Sequence, residues 1–156
     1  MKKINGRTIA KIGIVAAIYV ILTVAFPLLS YGQVQFRISE VLTLLAFFNP
    51  IYVWAVTIGT FFANIASTLG PVDMVVGTLA TFLAVYPMTK VKNIWVASLL
   101  PALSNGIIIG LQLNILFGLP LLPSMLYVAI GEITVVTIIG VPLMKVLNKK
   151  LNFNIT

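Results

Sequence analysis

The chain holds three carboxylates, Glu40, Asp73 and Glu132, each inside or at the edge of a long apolar run. Around them fall the amides Gln33, Gln35, Asn64 and Asn105, and one arginine, Arg37, three residues before Glu40. Such residues suit binding better than bond-making. A carboxylate accepts two parallel N–H bonds from an amidine- or guanidine-like edge. Amide side chains both donate and accept, so they can read a ring carbonyl and ring nitrogens. Tyr31, Phe36 and Tyr127 offer flat faces on which a planar solute could stack. Catalysis is disfavoured: with no histidine and no cysteine, the usual general base and the thiolate nucleophile are missing, and no nucleophile–base pair is evident. The same two absences remove the commonest transition-metal ligands, so no metal site is expected. The glycines never form a phosphate-binding G-x-x-x-x-G-K-[ST] loop.

Plainer roles are open to each of these residues. Arg37 and Glu40 can pair with each other and anchor a helix end. Asp73 can cap the helix that follows it. Asn64 and Asn105 can join helices by hydrogen bonds, Glu132 can be a paired structural carboxyl, and the aromatics can form a membrane-interface belt. The cluster as a whole is harder to explain in this way, because intramembrane ionisable groups cost a few kcal/mol each and normally face a cavity or a partner.

The elements that position these groups follow from composition. The chain is 156 residues long, 60% hydrophobic and only 8% charged, against about 25% charged in a soluble domain. It is expected to be one all-α integral membrane domain over residues 1–156. Its net charge of +7 resides in basic residues at the ends of apolar runs, a membrane-topology pattern and not a nucleic-acid one. Apolar runs at 8–29, 38–49, 51–67, 72–89, 94–117 and 121–147 predict helices, with a turn at Asn49–Pro50 because proline disfavours helical geometry in the residue before it. Six helices with both termini cytoplasmic place Lys2, Lys3, Arg7, Lys11, Lys90, Lys92, Lys145, Lys149 and Lys150 on the inner side. Five would put the last five of these outside. The carboxylates and amides then lie in the outer half. The second run, about 18 Å long as an α-helix, falls short of the ~30 Å core, so the 30–37 segment must roof a cavity opening outward. On the first helix, Gly13 and Ala17 stand four apart and form a small-residue surface where another helix can approach closely.

The runs SYGQVQFRISEVLTLLAFF (residues 30–48) and FFANIASTLGPVDMVVGTLAT (residues 61–81) resemble the signature of QueT-type proteins. These are S components, the substrate-binding subunits of energy-coupling-factor (ECF) transporters for queuosine precursors. The resemblance implies a compact six-transmembrane-helix bundle in a prokaryotic plasma membrane, with a solute site near the outer face capped by the loop after helix one. It implies capture of a 7-deazaguanine such as preQ0 or preQ1. It also implies partners: a membrane-embedded coupling subunit docking on the Gly13–Ala17 surface, and two ATPase subunits that alone use ATP, so the chain itself needs no cofactor. The first block carries Gln33, Gln35, Arg37 and Glu40; the second carries Asn64, Asp73, Gly70 and Gly77. On this basis one carboxylate (Glu40, Asp73 or Glu132) accepts the guanine-like N–H edge. Gln35, Asn64 or Asn105 reads the carbonyl and pyrrole side, Tyr31, Phe36 or Tyr127 stacks, and Arg37 orients Glu40. The alternative is a stand-alone, proton-coupled transporter of a planar solute, with the buried carboxylates as proton sites.

Overall fold

The structure is a computed structural model that describes residues 5–32, 34–151 and 153. These form α1 (Gly6–Ala25), α2 (Pro27–Ser30), α3 (Ile38–Phe48), α4 (Ile51–Ala66), α5 (Pro71–Met88), α6 (Ile94–Phe117) and α7 (Leu121–Leu151), with no strand among the described residues. Four of them, α1, α5, α6 and α7, are long and apolar enough to cross a membrane. The apolar helices α3 and α4 are shorter, at 10–17 residues. The sequence predicts six helices, of which the second is already too short to cross as a helix.

Local chemistry explains the boundaries. Asn5 caps α1, its side chain accepting from the Thr8 backbone N–H at 2.9 Å. The expected first helix, 8–29, is cut at Ala25 by Pro27, which has no N–H to give to the Thr23 carbonyl four residues back. The Ser30 hydroxyl takes that carbonyl instead, at 2.8 Å. Asn49 is extended before Pro50, with φ −152° and ψ 124°, and its side chain accepts from the Ile51 N–H at 3.1 Å, so the Asn49–Pro50 turn is present. Gly118, at φ 65°, ends α6 in the left-handed conformation that glycine tolerates.

Two helices depart from regular α geometry, and both carry a carboxylate. From Ile38 to Leu44, α3 is a 3-10 helix with Glu40 in its first turn. Its steeper rise brings the whole of α3 to about 20 Å, still short of a full crossing. The π-helical stretch Ile133–Gly140 of α7 begins directly after Glu132. Irregular turns of this kind occur frequently at functional sites.

The main apolar core joins α1, α3, α4, α5, α7 and the start of α6 around Tyr19, Leu44, Val56, Met88, Val136 and Met144. A smaller cluster of Ala80, Ile109, Leu113 and Val128 holds α5, α6 and α7 together. Close approach there depends on glycine: a Cβ at Gly110 would come within 2.6 Å of the Met125 side chain. Ile9, Ile14, Ile21 and Trp54 are exposed apolar side chains, as helices facing lipid require.

Candidate ligand-binding site

The buried stripe of α1 is Ala16, Tyr19 and Thr23, the three- and four-residue spacing of one helix face. Gly59 lets α4 close on this stripe, since a Cβ there would lie 2.8 Å from the Tyr19 Cβ. The Tyr19 ring is thereby driven inward, and its hydroxyl donates to Oε1 of Glu40 on α3. One turn on, the Thr23 and Ser39 hydroxyls share a hydrogen bond of 2.6 Å. Arg37 completes this group. Its Nη1 lies 3.8 Å from Glu40 Oε1, its Nε donates to the Ser30 carbonyl at 3.4 Å, and its guanidinium sits 5.6 Å from the centre of the Tyr31 ring, a cation–π geometry. Tyr31 in turn donates to the Ala63 carbonyl at 2.6 Å, latching the 31–37 segment to the end of α4. Partial burial raises the Tyr31 phenol above its ordinary pKa of 10.0, which keeps it a donor.

A second group joins α4, α5 and α6. Asp73 Oδ2 accepts from the Ser67 hydroxyl at 2.5 Å and Oδ1 from Gln112 Nε2 at 2.8 Å, while Asn64 Nδ2 donates to the Asp73 carbonyl at 2.8 Å. Asp73 is therefore not the cap of its helix. Gly70, at φ 52°, occupies that position, Pro71 is the first helical residue, and the Asp73 carboxylate lies in the first turn, where the helix dipole favours negative charge. Gly77 leaves room for Asn64, whose Nδ2 would be 2.5 Å from a Cβ there.

The third group pairs α6 with α7: Asn105 Nδ2 donates to Glu132 Oε1. The residue before Glu132, Gly131, is buried against the backbone carbonyls of Val34 and Gln35, so the loop after α2 rests directly on α7. Gln35 holds φ 47°, the one described non-glycine residue with positive φ.

Against these groups opens a cavity of about 350 Å³, lined by Tyr31, Gly32, Gln35, Ser67, Thr68, Leu69, Asp73, Leu113, Phe117 and Leu119. This volume lies at the lower end of small-molecule sites. Of the residues anticipated from sequence, Tyr31, Gln35 and Asp73 line it. Arg37, Glu40, Asn64, Asn105 and Glu132 are buried and do not line it. Gln33 lies outside the described residues. Tyr127 is 48% exposed and is absent from the cavity lining, and Phe36 packs on the main core. Tyr19, Ser67 and Gln112 were not anticipated as site residues. The signal for Gln112 was a lone amide near the end of an apolar run, and for Tyr19 a single phenol in the middle of one.

Five buried side-chain atoms among the described residues lack a hydrogen-bond partner: Glu40 Oε2, Asn64 Oδ1, Thr78 Oγ1, Gln112 Oε1 and Glu132 Oε2. All are oxygens, and four belong to amides, which accept, or to carboxyl groups, which accept when ionised. An unpaired buried polar atom costs about 1–3 kcal/mol, so the arrangement favours a solute rich in N–H donors. Among the described residues no group of three or more His, Cys, Asp or Glu is gathered for a metal.

The family model described as QueT transporter matches residues 9–149. A curated protein of Lactococcus lactis subsp. cremoris, described as "Queuosine precursor transporter QueT", is 51% identical over 83 residues, which are 52% of this chain and 48% of that protein. The match thus spans about half the length of this relative. No solved structure matches the chain. Four apolar helices of membrane-crossing length accord with a family of transporters, not enzymes. The chain belongs to the QueT transporter family.

Proposed function

We propose that the chain is the substrate-binding subunit of an ECF-type importer and captures a 7-deazaguanine queuosine precursor, preQ0 or preQ1, at the outer face of a prokaryotic plasma membrane. The observation that carries this is a cavity lined by Tyr31, Gln35 and Asp73, with Asp73 bonded to Gln112 and Asn64, two of the amides that keep an unpartnered buried oxygen. A guanine-like edge supplies adjacent N–H donors, and carboxylates and amides are the groups that accept them. Glu40, Asp73 or Glu132 takes that edge, Gln35, Asn64 or Asn105 reads the opposite side, and Tyr31, beside Arg37, provides the stacking face.

The topology belongs to the same proposal: one domain, six membrane segments with α3 and α4 counted among them, and both termini inside. The 31–37 segment then closes the outer side. Energy comes from partner subunits, a membrane coupling subunit and two ATPases, and the chain carries no cofactor of its own. Gly13 and Ala17 on the exposed face of α1 suit that docking: a Cβ at Gly13 would meet nothing within 4 Å, and a shallow apolar groove runs past both residues between α1 and α4. Mass spectrometry of small molecules co-purifying with the detergent-solubilised chain, expressed with saturating precursor, tests the substrate. Recovery of a deazapurine is expected, and none recovered overturns the assignment. Uptake into proteoliposomes by the lone chain under a proton gradient would instead favour the proton-coupled transporter.

A further inference from the structure

We infer that Glu132 is the counter-ion for a positively charged group on the solute, so that the site takes a deazapurine bearing a primary ammonium in preference to its neutral nitrile analogue. This rests on the function proposed above.

The three buried carboxylates are not equivalent. Asp73 has both oxygens occupied, by Ser67 and Gln112. Glu40 has a cation, Arg37, within 3.8 Å and the Tyr19 hydroxyl on the same oxygen. Glu132 has only the neutral amide of Asn105 on Oε1, its Oε2 is buried without a partner, and no cation lies within ion-pair distance of it among the described residues. Of the charged groups that act on it, Glu40 has like sign and Arg37 is already paired with Glu40. A buried carboxyl group stays ionised only when it is paired and otherwise takes up a proton, so a bound cation is what would hold Glu132 in its charged form.

The partner has to be a donor. The unpartnered buried side-chain atoms of the described residues include no nitrogen, and the Val34 and Gln35 carbonyls, more acceptors, crowd the preceding residue Gly131. A primary ammonium brings three N–H donors and a full positive charge. A nitrile nitrogen offers only a lone pair to a wall of oxygens. Gln35 both lines the cavity and abuts Gly131, so the cavity and the Glu132 turn of α7 meet at this loop, and a side arm of the solute reaches Glu132 there.

The test is calorimetry on the full chain in detergent with 7-aminomethyl-7-deazaguanine and 7-cyano-7-deazaguanine. The aminomethyl compound should bind at least about tenfold more tightly, or ~1.4 kcal/mol. In Glu132→Gln the two affinities should converge, and a cooperative melting transition in detergent reports that the variant is folded. Equal or tighter nitrile binding by the wild type, a preference that survives in Glu132→Gln, or loss of both compounds to the same degree overturns the inference. A second measurement needs no variant: raising pH through the amine's pKa, about 10 by analogy with lysine, should shrink the wild-type preference, and a preference flat across that range also overturns it. If neither compound binds the wild type, the proposed function itself falls. Binding of both without preference removes only the role given to Glu132.

Discussion

The backbone carbonyl of Val34 lies against Gly131 so closely that a Cβ on Gly131 would overlap the oxygen. The loop that follows α2 is therefore seated on α7 by the absence of a side chain, one residue before Glu132. Glycine is required here for close approach and not for backbone freedom, since Gly131 is in the middle of a helix.

Gly131→Ala should lift the 34–35 segment from its seat. Overpacking of this kind costs about 1–3 kcal/mol, and it falls on the loop because the helix is the stiffer element. Precursor affinity by calorimetry should drop by about tenfold, 1.4 kcal/mol, and amide exchange over residues 31–37 should speed up. Unchanged exchange in that loop would refute the seating role.

Tyr19→Phe removes the hydroxyl from Glu40 and leaves Oε1 with Arg37 alone at 3.8 Å. Losing a buried partner costs about 1–3 kcal/mol, so the melting temperature in detergent should fall. Glu40→Gln, which removes the charge opposite Arg37, should weaken precursor binding by about tenfold or more. Near-unchanged affinity would take Glu40 out of the site.

Asp73→Asn offers one acceptor oxygen where two are in use, so Ser67 or Gln112 must turn to accept from the new amide N–H. The amide also forfeits the favourable charge in the first turn of α5, about 0.3–1 kcal/mol. Affinity should fall in Asp73→Asn by more than in Ser67→Ala, because the serine variant leaves the Gln112 bond intact. The reverse order by calorimetry would place the contribution of this group on Ser67.

Gly13→Leu adds a large side chain where a Cβ meets nothing within 4 Å. The isolated chain should melt at the wild-type temperature and bind precursor normally. Co-purification with the coupling subunit and ATPases should be lost. If the assembly survives, this face of α1 is not the docking surface.

Much of the molecule was legible in the sequence. The apolar runs marked the helices because side chains facing lipid must be apolar along their whole length. Pro50 marked a turn because its backbone restriction acts locally. The Arg37–Glu40 pair followed from a spacing of three. Other features were not local. Pro27 shortened α1, and the carbonyl this freed was satisfied by Ser30, seven residues from Thr23. Asp73 looked like a cap because it precedes a run of helix formers, yet Gly70 and Pro71 had already begun the helix. The 3-10 turn under Glu40 and the π-helical stretch after Glu132 have no signature in hydrophobic periodicity.

By itself the sequence determined the class of molecule, the helical runs, and the short set of groups with binding chemistry, since composition and spacing act within one or two helical turns. Only the tertiary structure decided how those groups are partnered. Tyr19 and Glu40 are 21 residues apart, Asn105 and Glu132 27, and Gln112 and Asp73 39, so each bond depends on how two helices are set against each other. That setting is governed by glycines 59, 77, 110 and 131, whose meaning appears only once a neighbour occupies the space they leave. It is this packing that satisfies Asp73, sets the Tyr19 hydroxyl on Glu40, and leaves Glu132 with only the Asn105 amide.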